Sequence, residues 1–257
     1  MDTNKTDEKS KQRNTLIAKI LTILFIALLF LNFIIISLIY SWADWIALLI
    51  FSLLFIVPGY LSNAGMVIVG GGKPIDGGRF WQDGRRILGD HKTWKGLIKG
   101  PLYIGIPISF GIFLLFIVLW PAIQEIPITG EQMGIYKLYS NLSYYEFYFI
   151  GGPFPIGILF LIVRIILSSY GAAFGDLLGS FLKRRFNIPS GEPFWIIDQL
   201  DFVAASILFA SLPALFVSNI YLAPDIHVII FLLILTPAVS VIANTVAYVV
   251  GLKEVPW

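Results

Sequence analysis

The stretch LIAKILTILFIALLFLNFIIISLIY, Leu16 to Tyr40, has one charged residue in 25 positions. A helix crosses the hydrocarbon core of a membrane in about 20 apolar residues, so this stretch predicts a membrane-spanning helix. It is too long for the apolar core of a signal peptide and has no small-residue cleavage site, which indicates that it is retained. The whole chain has 257 residues, of which 57% are hydrophobic and 13% charged. Since soluble domains have about 25% charged residues, the sequence predicts an all-α integral membrane protein.

Six apolar stretches have the length that a crossing requires. They are Leu16 to Tyr40, Trp45 to Val69, Leu102 to Trp120, Pro153 to Phe181, Ile196 to Ile220, and Ile226 to Val250. An even number of crossings places both termini on the same side of the membrane. No soluble domain is predicted.

The positions of the basic residues predict the orientation. Of the 18 Lys and Arg residues, 16 fall on one face of this six-helix topology, and only Lys137 and Arg164 fall elsewhere. Cytoplasmic loops carry an excess of Lys and Arg, so both termini are predicted to be cytoplasmic. The loop that begins at Gly70 and the loop from Phe181 to Trp195 then face the cytoplasm as well.

The stretch GGGKPIDGGRFWQDGRRILGDHKTWKG, Gly70 to Gly96, contains eight of the 23 glycines and six of the 18 basic residues. Glycine lets backbone amides approach an anion closely, so a glycine-rich loop with Lys and Arg favours phosphate binding. The alternative is a solvated cytoplasmic loop with Asp-Gly turns. The density of glycine and three evenly spaced carboxylates favour the binding role. The candidate binding residues are Gly71, Gly72, Asp76, Arg79, Asp83, Arg85, Arg86 and Lys92.

A second polar region, GDLLGSFLKRRFNIPSGEPFWIIDQLDF, spans Gly175 to Phe202. Asp176 lies about two helical turns before Lys183, where a carboxylate inside the membrane boundary is costly and usually functional. Asp198 and Asp201 are three residues apart and share one face of the fifth helix. The alternative for this pair is helix capping. The chain has no cysteine and two histidines, so any metal must be held by oxygen, and three carboxylates suit Mg²⁺.

These blocks carry a family resemblance. The glycine-rich stretch, preceded by PGYLSNAG (58–65) and followed by GDLLGSFLKRR (175–185) and DQLDF (198–202), resembles the archaeal CDP-archaeol synthases, relatives of the CDP-diacylglycerol synthases. The resemblance runs from about Pro58 to the sixth helix. It implies transfer of a cytidylyl group from CTP to 2,3-bis-O-geranylgeranyl-sn-glycerol 1-phosphate, with Mg²⁺ as cofactor and pyrophosphate as product. The broader family signature is matched by Ser180, Lys183, Arg184, Asp198 and Asp201, and it departs at Asn187.

Roles follow from the resemblance and the chemistry together. Asp176, Asp198 and Asp201 are assigned to Mg²⁺ and, with Lys92, to catalysis. Phosphates are assigned to Lys92, Arg85, Arg86, Lys183 and Arg184. Asp76 and Asp83 are assigned to shaping the loop or to a second metal. A kink at Pro58 is expected to leave Asn63 beside an opening toward the acyl chains.

The expected partners are CTP, an isoprenoid ether-lipid phosphate and membrane lipids, with no nucleic acid; the oligomeric state stays open. The active site is expected to face the cytoplasm from the cell membrane. The chain then divides into a tail (1–15), an additional helix with its outer turn (16–44), and a membrane-embedded cytidylyltransferase domain (45–257).

Two other functions share part of this pattern. A CDP-alcohol phosphatidyltransferase also joins nucleotide, lipid and metal, but its motif has an Ala-Arg after Asp-Gly, which DGGR and DGRR lack. A six-helix anion transporter usually places polar groups near the midplane and often has inverted repeats. This chain keeps its charge at one surface and shows no repeat.

Overall fold

The computed structural model describes residues 3–189, 192–218 and 221–256. Residues 190 and 191 of the second predicted cytoplasmic loop therefore lie outside the described residues, as do 219 and 220 at the end of the fifth predicted span. The helices are α1 (Thr3–Ile39), α2 (Trp42–Ile68), α3 (Trp94–Gly100), α4 (Ile106–Val118), α5 (Trp120–Ile123), α6 (Glu125–Gln132), α7 (Leu142–Tyr145), α8 (Ile156–Arg185), α9 (Ile197–Ser211) and α10 (Ile226–Val249).

Within these described ranges, six helical segments are long and apolar enough to cross a membrane. They are Lys11–Ile39, Trp42–Ile68, Trp94–Val118, Ile156–Arg185, Ile197–Leu215 and Ile226–Val249. The prediction of an all-α membrane protein with six spans is confirmed.

Two helices start earlier than predicted. The 1–15 tail was predicted as a separate segment, but α1 is helical from Thr3. The third span begins at Trp94 rather than Leu102, because the Thr93 side chain accepts a hydrogen bond from the Gly96 amide (3.1 Å) and caps the helix. Pro101 does not end this span, since it starts a π-helical turn, Pro101–Gly105, that leads directly into α4.

The outer segment predicted as a loop, Pro121 to Gly152, is largely helical and packed into the core. It contains α5 to α7 and a π-helical turn, Glu146–Ile150. Tyr139 and Tyr148 in this segment are completely buried. Five aromatic side chains of the segment join the main core cluster, which explains why so many aromatic residues occur in a region between spans.

Glycines bring the helices around the site into close contact. On α8, Gly171, Gly175 and Gly179 recur every fourth residue, so they lie along one face. A Cβ on Gly175 would lie 2.3 Å from the backbone oxygen of Asp201 on α9. A Cβ on Gly105 would similarly collide with the Ser62 hydroxyl of α2. Only glycine permits these approaches.

The long helices α2 and α8 define two ends of the molecule. The basic end holds the loop 70–93 and the last turns of α8. The aromatic end holds the segment 119–155 and the start of α2. A 27-residue helix such as α2 is about 40 Å long, so the two ends are far apart.

Candidate functional site

The loop 70–93 at the basic end is organised around Asp76. Its carboxylate is buried and accepts five hydrogen bonds: two from the Arg86 guanidinium (2.9 and 3.1 Å) and three from the amides of Gly78, Leu88 and Gly89 (3.1–3.2 Å). Both carboxylate oxygens are therefore engaged within the loop. Of the two roles assigned to Asp76, this arrangement corresponds to shaping the loop.

The charge of Asp76 is stabilised by the same contacts. Burial by itself would raise the pKa of this carboxyl, but the Arg86 guanidinium and the three backbone amides outweigh it and hold the pKa well below its usual range. The hydrogen bonds from Arg86 to Asp76 and to Asp90 raise the pKa of Arg86 in turn. The pair therefore stays ionised at neutral pH.

The last turn of α8 binds this loop. Arg185 donates to the Asp83 carboxylate (2.9 Å) and to the backbone oxygen of Arg86 (2.6 Å). Arg184 donates from Nε to the backbone oxygen of Leu88 (3.1 Å). Arg185 is thus a loop-positioning residue that the sequence interpretation used only for topology. The sequence feature that could have identified Arg185 is its place in the Lys-Arg-Arg run.

Two ion pairs connect the loop, α8 and α9. Lys92 Nζ lies 2.6 Å from Asp176 Oδ2, so the loop is tied to α8. Lys183 Nζ lies 2.8 Å from Asp198 Oδ2, which also accepts a hydrogen bond from the Phe194 amide (2.8 Å). All four side chains are partly accessible, with exposed fractions of 14–29%. Neither acid–base pair is sealed from a ligand.

Asp201 is positioned by a glycine. A Cβ on Gly179 would lie 1.7 Å from Asp201 Oδ2, so this carboxylate occupies the space that any other side chain at position 179 would need. Its other oxygen accepts a hydrogen bond from the Phe202 amide (2.5 Å). The Gly-x-x-x-Gly spacing in GDLLGS thus places an acid against α8.

Three adjoining cavities lie at the basic end, and each is named here for its position or a lining residue. The central cavity, of about 270 Å³, is lined by Leu88, Gly89, Asp90, His91, Lys92, Asp176, Ser180, Lys183, Arg184, Asp198 and Asp201. The Asn63 cavity, of about 340 Å³, is lined by Asn63, Met66, Val67, Gly70, Gly71, Gly72, Asp90, His91, Lys92, Thr93, Gly96, Leu97, Asp176 and Leu177. The Arg85 cavity, of about 400 Å³, is lined by Arg85, Arg86, Gly89, Asp90, His91, Arg184, Asn187, Ile188 and Pro189.

The predicted site residues fall into different cavities. The central cavity brings together the three aspartates with Lys92, Lys183 and Arg184. Gly71, Gly72 and Asn63 line the Asn63 cavity, and Arg85 and Arg86 line the Arg85 cavity. Arg79 is exposed and Asp83 is held by Arg185, and neither belongs to these three linings.

Two residues that the sequence interpretation did not assign line all three cavities. They are Asp90 and His91, and both are exposed. Asp90 lies 2.8 Å from Arg86 Nη1, which ties the cavity junction to the Asp76 network. The sequence feature that could have identified both residues is their place directly before Lys92.

The carboxylates of the central cavity fit a divalent cation chemically, because Mg²⁺ takes one or two carboxylates and completes its shell with water and phosphate oxygens. Among the described residues, however, no three Asp, Glu or His side chains are close enough to form a ligand group by themselves. Asp176 and Asp198 are paired with lysines instead. A cation here would depend on phosphate oxygens from a substrate for part of its shell.

The chain is similar to one protein family along most of its length. The family model described as CarS-like, CDP-archaeol synthase, matches residues 45–123 and 128–257. The CDP-archaeol synthase of Thermococcus kodakarensis is 37% identical over 214 residues, which cover 83% of this chain and 99% of the relative. The enzyme of the same name from Methanosarcina mazei is 37% identical, over 78% of this chain and 99% of its own.

A solved structure of an intramembrane enzyme for archaeal membrane-lipid biosynthesis is also similar. It is 23% identical and covers 77% of this chain and 92% of its own chain, with a TM-score of 0.44.

Proposed function

This chain belongs to the CDP-archaeol synthase family, and we propose that its central cavity is where the cytidylyl group of CTP is transferred to an archaeal ether-lipid phosphate. The observation that carries the proposal is the central cavity, in which four carboxylates and three cationic side chains (Lys or Arg) from the loop, α8 and α9 converge. Family membership favours this cytidylyltransferase over the phosphatidyltransferase and the anion transporter.

The chemistry requires charge compensation more than a base. A phosphomonoester has a second pKa near 6, so the lipid phosphate is already mostly a dianion at pH 7. Its oxygen attacks the α-phosphorus of CTP in line, and pyrophosphate leaves with the electron pair of the broken P–O bond. Roughly six negative charges meet in this step, and their repulsion raises the activation barrier. Fixed cations and a metal ion lower this barrier by neutralising charge.

The two ion pairs suggest separate roles, in which the acids bind the metal ion and the lysines bind phosphate. When bound, Mg²⁺ would supply charge neutralisation at the phosphates. Asp176 and Asp198 would hold it, with Asp201 beside them. Lys92 and Lys183, now paired with those two carboxylates, would then turn to phosphate oxygens.

The two neighbouring cavities suit the two substrates. The Asn63 cavity combines Lys92 with the apolar side chains of Met66, Leu97 and Leu177, which suits the phosphate and first carbons of an ether lipid. The Arg85 cavity presents three arginines, which suit the leaving pyrophosphate. The lipid assigned is 2,3-bis-O-geranylgeranyl-sn-glycerol 1-phosphate.

The decisive test is a transfer assay. Full-length protein in detergent, with Mg²⁺, CTP labelled at the α-phosphate and the ether-lipid phosphate, should move label into the organic phase and release pyrophosphate. Omission of lipid or addition of a chelator should abolish the transfer. Release of CMP in place of pyrophosphate would contradict the proposal.

The basic end is proposed to face the cytoplasm. The chain has no cysteine, so single cysteines can be introduced without a background. In intact cells, an impermeant thiol reagent should label Thr129→Cys and spare Lys73→Cys. Labelling of Lys73→Cys from outside would reverse the orientation.

A further inference from the structure

A fourth cavity lies on the other side of the Lys183–Asp198 pair. This Trp195 cavity has a volume of about 200 Å³ and shares only Lys183 and Asp198 with the central cavity. Its lining is Lys183, Glu192, Pro193, Trp195, Asp198, Gln199, Val241, Asn244 and Pro256. Pockets for drug-sized ligands measure about 300–1,000 Å³, so this one suits a single ring rather than a whole nucleotide.

Gln199 in this cavity has an unmet hydrogen-bonding group. Its Oε1 is buried and accepts no hydrogen bond from any of the residues that the structure describes. A buried acceptor without a donor destabilises the folded protein, because the group has lost its hydrogen bonds to water. Gln199 lines the cavity, and the terminal torsion of a glutamine side chain is broad, so rotation about it is the movement that would present this oxygen to a donor in the cavity. The site therefore favours a ligand that brings an N–H group.

Trp195 is the aromatic residue in the lining of the same cavity. Its backbone φ is +39°, a left-handed conformation that is unusual for a bulky residue. Such a conformation persists only where the surrounding structure holds it. Tryptophan is also a favourable stacking partner for a nucleobase, because every base has a π-face.

The C-terminal part of the chain contributes Val241, Asn244 and Pro256 to the same lining. Asn244 on α10 accepts a hydrogen bond from Lys253 Nζ (2.9 Å) through its Oδ1, which orients the side-chain amide. Its Nδ2 is then available as a fixed donor. An aromatic surface, two acceptor side chains and an amide donor form the kind of lining that reads the edge of a nucleobase.

We propose that the Trp195 cavity holds the cytosine ring of CTP, stacked on Trp195, and that Gln199 Oε1 and the Glu192 carboxylate accept the two N–H groups of its 4-amino group. The proposal rests on the proposed function, since it places the base of the same nucleotide whose phosphates occupy the central cavity. Lys183 and Asp198, shared by both cavities, lie between base and phosphates.

This arrangement would select against UTP. Uracil has a carbonyl oxygen where cytosine has the amino group, so it would leave the buried Gln199 Oε1 unpaired and face the negative charge of the exposed Glu192 carboxylate. Sites that hydrogen-bond a substrate group reject analogues that lack it, because the buried groups of the site then stay unsatisfied. One well-placed contact to a base edge contributes about 1–3 kcal/mol of discrimination, or roughly 5- to 150-fold.

The test compares CTP with UTP as substrates of the full-length protein. Gln199→Leu removes the acceptor at similar volume, and the ratio of kcat/KM for CTP to that for UTP should fall at least about tenfold. Gln199→Glu, which keeps an acceptor oxygen, should retain most of the preference. The matched control is Gln132→Leu on the exposed end of α6, which should leave the ratio unchanged.

Stacking has its own readout. Trp195→Ala should raise the KM for CTP about tenfold or more, and Trp195→Phe should restore most of the affinity. An unchanged ratio in Gln199→Leu, or an equal loss with both nucleotides, would overturn the base assignment. A wild-type protein that forms no CDP-lipid from CTP would instead contradict the proposed function, so the two failures are distinguishable.

Discussion

Aspartates at the two ends of the molecule are satisfied in different ways. At the aromatic end, the buried Asp44 carboxylate accepts hydrogen bonds from the amides of Lys137, Leu138 and Tyr139 (2.9–3.1 Å) and from the Ser41 hydroxyl (2.8 Å). At the basic end, Asp176 is held by one lysine. Backbone amides cannot leave without unfolding the segment, whereas a lysine side chain can rotate away.

Asp225 and Arg164 at the aromatic end are also held by several buried partners. Asp225 accepts hydrogen bonds from the hydroxyls of Tyr139 and Tyr148 and from two amides at the start of α10. Burial, with the nearby Asp225 charge, raises the pKa of both tyrosines, so they remain protonated donors. Arg164 donates to the carbonyls of Phe147 and Tyr148 (2.6 and 3.0 Å). These contacts hold the segment 119–155 in the core.

This difference indicates which carboxylates can exchange their present partner for a bound cation. Carboxylates saturated by fixed donors act as structural anchors. Carboxylates paired with partly exposed lysines can exchange those lysines for another cation, and the lysines can then bind anions. The same residue type thus serves stability where fixed donors surround it, as at Asp44 and at Asp76 in the loop, and ligand binding where a lysine pairs with it, as at Asp176.

The largest effect is expected for the exchangeable aspartates. Asp198→Asn should lower turnover at least about a hundredfold, a barrier increase near 2.7 kcal/mol, because it removes the charge that would hold the metal ion. The midpoint of thermal unfolding should change little. Asp176→Asn should behave alike, and the double variant should be far from additive. A destabilised but fully active Asp198→Asn protein would return this residue to a capping role.

The reverse result is expected at the aromatic end. Asp44→Asn replaces an acceptor oxygen by an NH₂ group that faces backbone amides, so the free energy of unfolding should fall by about 2 kcal/mol. Turnover per folded molecule should stay near that of the wild type. Thermal unfolding and transfer assays on the same preparation check both. Loss of turnover without loss of stability would show that Asp44 has a functional role, as proposed for Asp176 and Asp198, and would contradict the difference between the two ends.

A smaller effect should follow from moving an acid without removing it. In Gly179→Ala the new methyl group would collide with Asp201 Oδ2, so the side chain must shift, and turnover should fall about tenfold. Gly111→Ala on α4 is the matched control, because nothing lies within 4 Å of its added methyl group. Equal activity of the two variants would remove Asp201 from the site.

The smallest effect concerns the loop and appears only in acid. Since the folded-state pKa of Asp76 lies below the unfolded value of about 3.9, its contribution to stability is complete above that value and is lost as pH falls through the folded pKa. The difference in unfolding temperature between wild type and Asp76→Asn should be constant from about pH 5 to 7. Below about pH 4 it should shrink. A difference that vanished already near pH 6 would show that the Asp76 contacts do not hold the loop.

Local patterns were sufficient for the spans and for the candidate acids. Asp176 stood out because it precedes Lys183 inside an apolar helix, and Asp198 and Asp201 because of their spacing. The predicted start of the third span was wrong by eight residues. Hydropathy does not detect the Thr93 cap, and the helix continues through Pro101, which the prediction took as the boundary before the span. The prediction of a loop from Pro121 to Gly152 missed its helices and burial for a related reason: the polar partners of this segment are distant in sequence, as Asp44 is from Tyr139, 95 residues apart.

The sequence by itself determined the six spans, the concentration of positive charge on one face and the identity of the residues around the candidate site. Those properties depend on composition and on local periodicity, which act along a single segment. Only the tertiary structure decided which charges meet. It paired Lys92 with Asp176 and Lys183 with Asp198, buried Asp76 inside its loop and gathered Trp195, Gln199 and Asn244 around one cavity. The physical reason is that hydrogen bonds and ion pairs depend on distances of about 3 Å. Such distances arise between residues far apart in the chain only after α8, α9 and the loop 70–93 have packed.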